Sequence, residues 1–253
     1  MASYPQQTDV SKACLQGVDA VLKILSIETS RRQGSVAACL GDRLLGEHQL
    51  DPLQRTARSL APAIEHLLLD VGWSIMDVAL VAVTQGPGSF TGLRIGVTTA
   101  KALGYATGAG VMGLNTLEVM AAQLLLGTSS INAAVPHDVV LDAHRNQLFT
   151  ARYRRQETRL LRELPTRIVD REAWLQEHPL VTGRNLEQPE SLPTAAMVGQ
   201  LAAWRSALPD QWPEEDITWA EAGDIRELMA MVPRYYRRSA AEEKRDESSP
   251  GVS

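Results

Sequence analysis

Cysteine occurs only at Cys14, in a polar leader, and at Cys39, in an apolar strand, so no disulfide framework exists and a reducing compartment is expected. Long apolar runs are missing too. No stretch approaches the roughly 20 residues of a bilayer-spanning helix, and Met1 to Gly17 lacks the basic-then-apolar pattern of a signal peptide. A cytoplasmic location is expected. Net positive charge is also absent: 25 Lys and Arg against 30 Asp and Glu give −5, so any RNA contact must be local or made by a partner. The local candidates are Arg152, Arg154, Arg155, Arg159 and Arg162, with Arg234, Arg237 and Arg238 later, although such clusters are more often solvated faces. The histidines, His48, His66, His137, His144 and His178, include no pair one helical turn apart, the spacing that would put two metal ligands on one helix face.

What is present is the composition of an ordinary globular protein, 44% apolar and 22% charged, in 253 residues, enough for one large domain or two small ones. The stretch around which the chain is arranged runs from Gln85 to Gly96, Gln-Gly-Pro-Gly-Ser-Phe-Thr-Gly-Leu-Arg-Ile-Gly. It follows the apolar run Val78 to Val83, a buried strand, and opens an Ala- and Gly-rich helix over Thr91 to Ala106. Gly86, Gly88 and Ser89 form a rigid turn with Pro87, and bare amides at such a helix start can hold a phosphate. The spacing fits neither the Walker pattern nor a dinucleotide fingerprint, and a structural corner, with Ser89 or Thr91 as cap, is the plainer reading.

Within that helix Gly92, Gly96, Ala100, Gly104 and Gly108 recur every four residues along one stripe. Each interior glycine costs about 1 kcal/mol against alanine, so the stripe needs a reason, and close approach of another backbone supplies one. That backbone belongs either to the chain's own sheet or to a second subunit.

The residues before Val21 are polar and patternless and are expected to form an extension. Three strands in a meander follow: Lys23 to Ile27 ending at Glu28, Gly34 to Leu40, and Arg43 to Leu50 beyond the Gly41-Asp42 turn. Leu60, Ile64, Leu67, Leu68 and Val71 mark an amphipathic helix stopping at Gly72, with either Ser59 as its cap or a kink at Pro62. After the glycine helix come a strand Val111 to Leu114 and a helix from Asn115 or Thr116 to Leu126, where Asn115 and Glu118 have capping-box spacing. A second half opens with the strand Asp138 to Asp142, turns at His144 to Gln147 and pairs back over Leu148 to Arg154. Leu180 to Gly183 reads as a strand, Thr194 to Leu208 as a helix, Leu228 to Val232 as helical up to Pro233, and the charged tail from Ala240 as disordered.

Two strand systems each closing on a carboxylate, with a glycine turn between them, resemble the duplicated fold of acetate and sugar kinases, Hsp70 and actin. Within that superfamily Ile24 to Ser30, Gly86 to Gly96, Leu141-Asp142-Ala143-His144-Arg145 and Pro233-Arg234-Tyr235-Tyr236-Arg237 resemble the TsaB (YeaZ) family, over roughly Lys23 to Arg238. The resemblance implies an α/β fold of two related RNase H-like, actin-like subdomains, each a mixed sheet with helices. It divides the chain into an extension (1–22), a first, Gcp-like subdomain (23–134), a degenerate second one (135–238) and a tail (239–253). It also implies a non-catalytic scaffold for tRNA threonylcarbamoyladenosine synthesis that pairs with TsaD, with TsaE joining, a homodimer as a further state, and tRNA met through the complex. Metal and ATP are then expected on the partner subunits, with no cofactor or metal held by this chain. The family's pairing helices match Ser59 to Val71 and Thr91 to Ala106, so the implied partner residues are Ser59, Ala63, His66, Gly92, Gly96, Ala100 and Gly104. Where many members carry a histidine before the serine, this chain has Arg58-Ser59.

The rival expectation is a small-molecule kinase or ATP hydrolase using a cleft near Glu28, Gly88 and Asp142. Thr29 to Gly34 is not a glycine-rich phosphate loop, and Ala143 follows Asp142 where glycine would suit a phosphate. A peptidase would need a base beside Ser89 or Thr91; the motif holds no histidine, and Lys101 lies roughly three helical turns further on.

Overall fold

The computed structural model describes residues 21–127, 135–157, 159–178, 192–207 and 218–236. Lys23–Glu28 (β1), Ser35–Leu40 (β2) and Arg43–Gln49 (β3) form the expected antiparallel meander, with a bulge between Ala38 and Cys39. β1 pairs in parallel with Leu80–Gly86 (β4), and β4 in parallel with Gly110–Asn115 (β5). Parallel neighbours need long crossovers, and helices Thr56–Asp70 (α1) and Phe90–Thr107 (α2) supply them. Thr218–Ala220 (β9) closes the far edge antiparallel to β5, giving the order β3-β2-β1-β4-β5-β9. β1 and β4 are central and covered on both faces, which is why each reads as a nearly continuous apolar run.

α1 and α2 cover one face, where Leu60, Ile64, Leu67, Val97 and Ala100 meet Leu25, Ile27, Val81 and Val83. The other face carries Thr116–Gly127 (α3) and Ala195–Ala207 (α5), packed on Ile24, Cys39, Ala82 and Met112. Beyond α3 lies a second sheet of His137–His144 (β6), Gln147–Gln156 (β7) and Arg159–Asp170 (β8), an antiparallel meander that lays Val139, Leu141, Phe149, Ala151 and Tyr153 onto the same core. α3 is thus apolar on nearly every side because a sheet flanks it on each. Its one acid, Glu118, pairs with the buried Arg205 of α5. Arg171–Glu177 (α4) covers Val140 and Leu148 with Trp174.

Several boundaries differ from expectation. α1 starts at Thr56, with Arg55 at the cap position and no side-chain bond to the free amides. Ser59 is therefore not its cap; it lies inside the helix, its hydroxyl 3.4 Å from the Thr56 carbonyl. Pro62 also lies inside, on the exposed side, where the carbonyl it leaves free can reach water. The helix expected over Leu228 to Val232 is Ile225–Ala230 (α6), begun by Asp224, whose carboxylate accepts the Arg226 and Glu227 amides. It ends early because Val232 precedes a proline and is steered to extended backbone. β8 went unread because Pro165 and interspersed arginines break the alternation; as the sheet's edge strand it tolerates a missing N–H. The strand expected over Leu180 to Gly183, the leader with Cys14, Arg237, Arg238 and the tail lie outside the described residues.

Candidate functional site

Three motifs far apart in sequence meet at the C-terminal ends of β1 and β4. The Gly86–Pro87 peptide is cis, and Gly86 and Gly88 have φ of 136° and 155°, which side-chain-bearing residues rarely adopt. A Cβ on Gly88 would collide with the Ser30 carbonyl and lie 2.7 Å from its Cβ, and one on Gly86 would strike the Arg234 carbonyl. The Ser89 amide donates to the Ser30 carbonyl at 2.6 Å, and the Ser89 hydroxyl accepts the Gly92 amide at 3.2 Å as the helix cap. The chain's own β1–β2 loop lies against Gly88 on one side of the turn, and its Met231–Tyr236 arm against Gly86 on the other.

That arm is fastened along its length. The Arg234 amide donates to the Gln85 carbonyl at 2.8 Å, and the Gln85 side chain donates to the Val232 carbonyl while accepting the Thr218 hydroxyl. Lys101 donates to the Met229 and Met231 carbonyls at 2.9 Å each. Tyr235 stacks on Phe90 with centroids 4.6 Å apart, and the Arg94 guanidinium sits 3.9 Å from the Phe90 centroid while donating to the Tyr235 hydroxyl. Asn115 donates to the Tyr236 hydroxyl at 3.1 Å. Lys101 is thus tied to the arm, not placed as a base for Ser89.

The small-residue stripe is buried from Gly92 to Gly104, whereas Gly108 is the exposed C-cap of the helix with φ of 74°. Gly92 lies on the Thr29 carbonyl, Gly96 on the Thr29 hydroxyl with Val83 3.3 Å from its would-be Cβ, and Gly104 on Val111 at 2.5 Å; Ala100 is 0% exposed. Of the two neighbours the stripe could have had, the chain's own sheet and β1–β2 loop are the one present. Gly92, Gly96, Ala100 and Gly104 are therefore corrected from partner contacts to internal packing: a partner cannot reach a ridge already seated on β1, β4 and β5. Ser59 is also buried, Ala63 is half-buried and His66 is exposed. These three border a groove of about 270 Å³ with His48, Asp51, Arg58 and Pro62. The face that α1 and α2 turn outward carries Ala61, Pro62, His66 and Leu69 on one helix and Thr98, Ala102, Tyr105 and Ala106 on the other, with Leu69 69% and Tyr105 64% exposed. Thr98, Ala102 and Ala106 repeat the four-residue period two positions along from the glycines, and that offset was the signal available in the sequence.

The two carboxylates expected to share a cleft have different surroundings. Glu28 is fully buried; Oε1 accepts the Ser30 amide at 2.7 Å, the Ser30 hydroxyl and the Thr84 hydroxyl at 3.3 Å, while Oε2 has no hydrogen-bond partner. Burial pushes its pKa up to about 7, against the Ser30 and Thr84 bonds and the Arg31 charge, which pull the other way. Asp142 is exposed at the end of β6, accepting the His144 amide at 2.9 Å where His144, Arg145 and Asn146 all have positive φ. Among the described residues no group of three or more His, Cys, Asp or Glu is arranged to hold a metal ion.

Comparison with known proteins gives a family model, TsaD: tRNA N6-adenosine threonylcarbamoyltransferase, matching residues 54–243. The chain belongs to the TsaD family. It is 27% identical over 238 residues to the tRNA threonylcarbamoyladenosine biosynthesis protein TsaB of Bacillus subtilis, covering 90% of this chain and 99% of that one. It is 32% identical over 136 residues to TsaB of Escherichia coli, covering 54% and 57%. The solved structure of YeaZ from Pseudomonas aeruginosa superimposes with a TM-score of 0.64 at 20% identity, over 85% of this chain and 99% of that one. The α/β fold of the TsaD-family relatives called TsaB and YeaZ, as expected from the resemblance, is therefore the fold of this chain.

Proposed function

We propose that this chain is the scaffold subunit of tRNA threonylcarbamoyladenosine biosynthesis, pairing through the outer face of α1 and α2 with its paralogue TsaD for transfer of threonylcarbamoyl to the adenosine beside the anticodon. The observation that carries the reading is the packed glycine turn. In this chain Ser30 packs against Gly88 and Arg234 against Gly86, so the motif builds the subunit and the chemistry falls to the partner. Leu69 and Tyr105, each exposed in the last turn of its helix, give the outer face apolar surface that a partner helix can cover. Metal and ATP then belong to TsaD and TsaE, tRNA is met by the assembled complex, self-association uses the same face when TsaD is absent, and the setting is the cytoplasm. No helix among the described residues is long and apolar enough to cross a membrane.

Two measurements test the proposal. The full chain co-expressed with TsaD is expected to elute as one complex, and cells depleted of the chain are expected to lose threonylcarbamoyladenosine from their tRNA. Separate elution together with unchanged modification overturns it. Magnesium-dependent ATP turnover by the chain alone, abolished in Asp142→Asn, would favour the kinase or hydrolase reading instead.

A further inference from the structure

β7 and β8 outrun their sheet. The last β7 residue paired with β6 at this end is Tyr153, opposite His137; past it, among the described residues, Arg154 to Gln156 pair with Arg159 to Leu161 of β8 alone. Among the described residues, β7 and β8 therefore continue as a two-stranded ribbon past the end of β6. Between Gln147 and Asp170 the chain carries six arginines, Arg152, Arg154, Arg155, Arg159, Arg162 and Arg167, no lysine, and three acids, Glu157, Glu163 and Asp170. In a chain of net charge −5 this segment is the reverse of the whole.

The pairing register sorts these side chains. Thr150 faces Arg167, Arg152 faces Leu164, Arg154 faces Leu161 and Gln156 faces Arg159, so Arg152, Arg154, Arg159 and Arg167 share the face turned away from α3. Arg155 lies on the opposite face, where Nη1 donates to the Leu125 carbonyl of α3 at 3.4 Å. On the arginine face, Arg152 is held by both oxygens of Asp138 at 2.9 and 2.8 Å, which raises its pKa and anchors it. Arg154 pairs with Glu163 at 2.8 Å with 43% of its side chain still exposed. Arg159 and Arg167 are exposed, and no carboxylate among the described residues pairs with either.

We infer that this face of the β7–β8 ribbon, through Arg154, Arg159 and Arg167 with Arg152 as the fixed strut, is a contact for the phosphate backbone of an RNA. The occupant follows from charge and geometry. The cations are all arginine, whose planar fork binds phosphate oxygens in pairs; Arg152 and Arg154 stand at alternate positions of β7, while Arg159 and Arg167 lie toward the two ends of β8, so the charges spread along the length of the ribbon face. A row of this kind follows a polyanion backbone without reading bases. The inference rests on the proposed function in one respect: the RNA presented to the assembled complex is tRNA.

The test compares tRNA binding by the complex of full-length chain and TsaD with that of the complex carrying Arg159→Glu and Arg167→Glu, as a function of salt. Both residues are exposed, and co-elution with TsaD and the melting temperature, read on the same samples, are expected to be unchanged. The wild-type complex is expected to bind at least about tenfold more tightly at low salt, with a log–log salt slope steeper by about 1.5, and a double Arg→Gln variant is expected to lie between the two. Equal affinity and equal slope overturn the inference. So does a variant that keeps its tRNA affinity but loses capture of TsaE, which would make the ribbon a protein contact. Failure of the wild-type chain to co-elute with TsaD sinks the proposed function instead; the salt comparison, repeated on the full chain alone, still decides the ribbon.

Discussion

The Ser89 amide donates to the Ser30 carbonyl at 2.6 Å, locking the loop after β1 onto the turn before α2. Gly88 makes the approach possible, since a Cβ there would collide with Ser30 and its φ of 155° strains other residues. Gly88→Ala is therefore expected to cost about 2–4 kcal/mol, through overpacking and backbone strain together, in a urea unfolding series. A midpoint shifted by less than the experimental scatter would show that the loop can move away freely.

Inner and outer faces of α2 should respond oppositely to bulk. Gly96→Leu is expected to lower the melting temperature by more than 5 °C, because the side chain must displace Thr29 and Val83, and to lose TsaD only through unfolding. Ala102→Glu, on the exposed side, is expected to melt within about 2 °C of wild type yet fail to co-elute with TsaD, since it buries an unpaired charge in a docked interface. A stable Ala102→Glu chain that still co-elutes would move the interface elsewhere.

This pair of residues also shows how far the sequence could be read. The four-residue period of Gly92, Gly96, Ala100 and Gly104 announced a close approach, and β1 and β4 announced themselves as apolar strands. The neighbour could not be named from the period, because Thr29 lies 63 positions before Gly92 and reaches it only through the parallel pairing of β1 with β4. Thr98, Ala102 and Ala106 carry the same period, and nothing in a one-dimensional pattern says which stripe faces in. Glu28 and Asp142 looked equivalent as strand-end acids; that one is sealed and the other exposed is a property of the packing. β8 and β9 escaped for local reasons, a proline in one and a length of three residues in the other.

Glu28 makes stability depend on pH. Its folded pKa of about 7 lies above the ordinary value of 4.5, so between these the native protein holds the proton more tightly than the unfolded chain. The neutral acid's contribution is fully present below pH 4.5 and is lost as pH rises to about 7, for a total of roughly 3 kcal/mol. Glu28→Gln keeps an acceptor oxygen for Ser30 and Thr84 and cannot ionise. Relative to wild type it is expected to gain stability steadily from pH 5 to 7.5, in guanidinium titrations at fixed ionic strength. Two parallel stability curves would show that Glu28 does not titrate in this range.

The Glu118–Arg205 pair tests what joins α3 to α5. Both side chains are almost fully buried, 3% and 2% exposed, in the layer between the two sheets. Taking two charges out of water is costly, and the attraction between the two ions offsets part of that cost. Glu118→Ala leaves a guanidinium buried without its carboxylate and is expected to cost about 3–5 kcal/mol. Replacing both, with Glu118→Leu and Arg205→Met, removes the desolvation cost along with the attraction and is expected to recover most of that loss. Unfolding free energies of Glu118→Leu, of Arg205→Met and of the double variant give the coupling directly. If the double variant loses as much as the two singles added together, the ions are not coupled, and α3 and α5 are held by Leu117, Met120, Val198 and Leu201 alone.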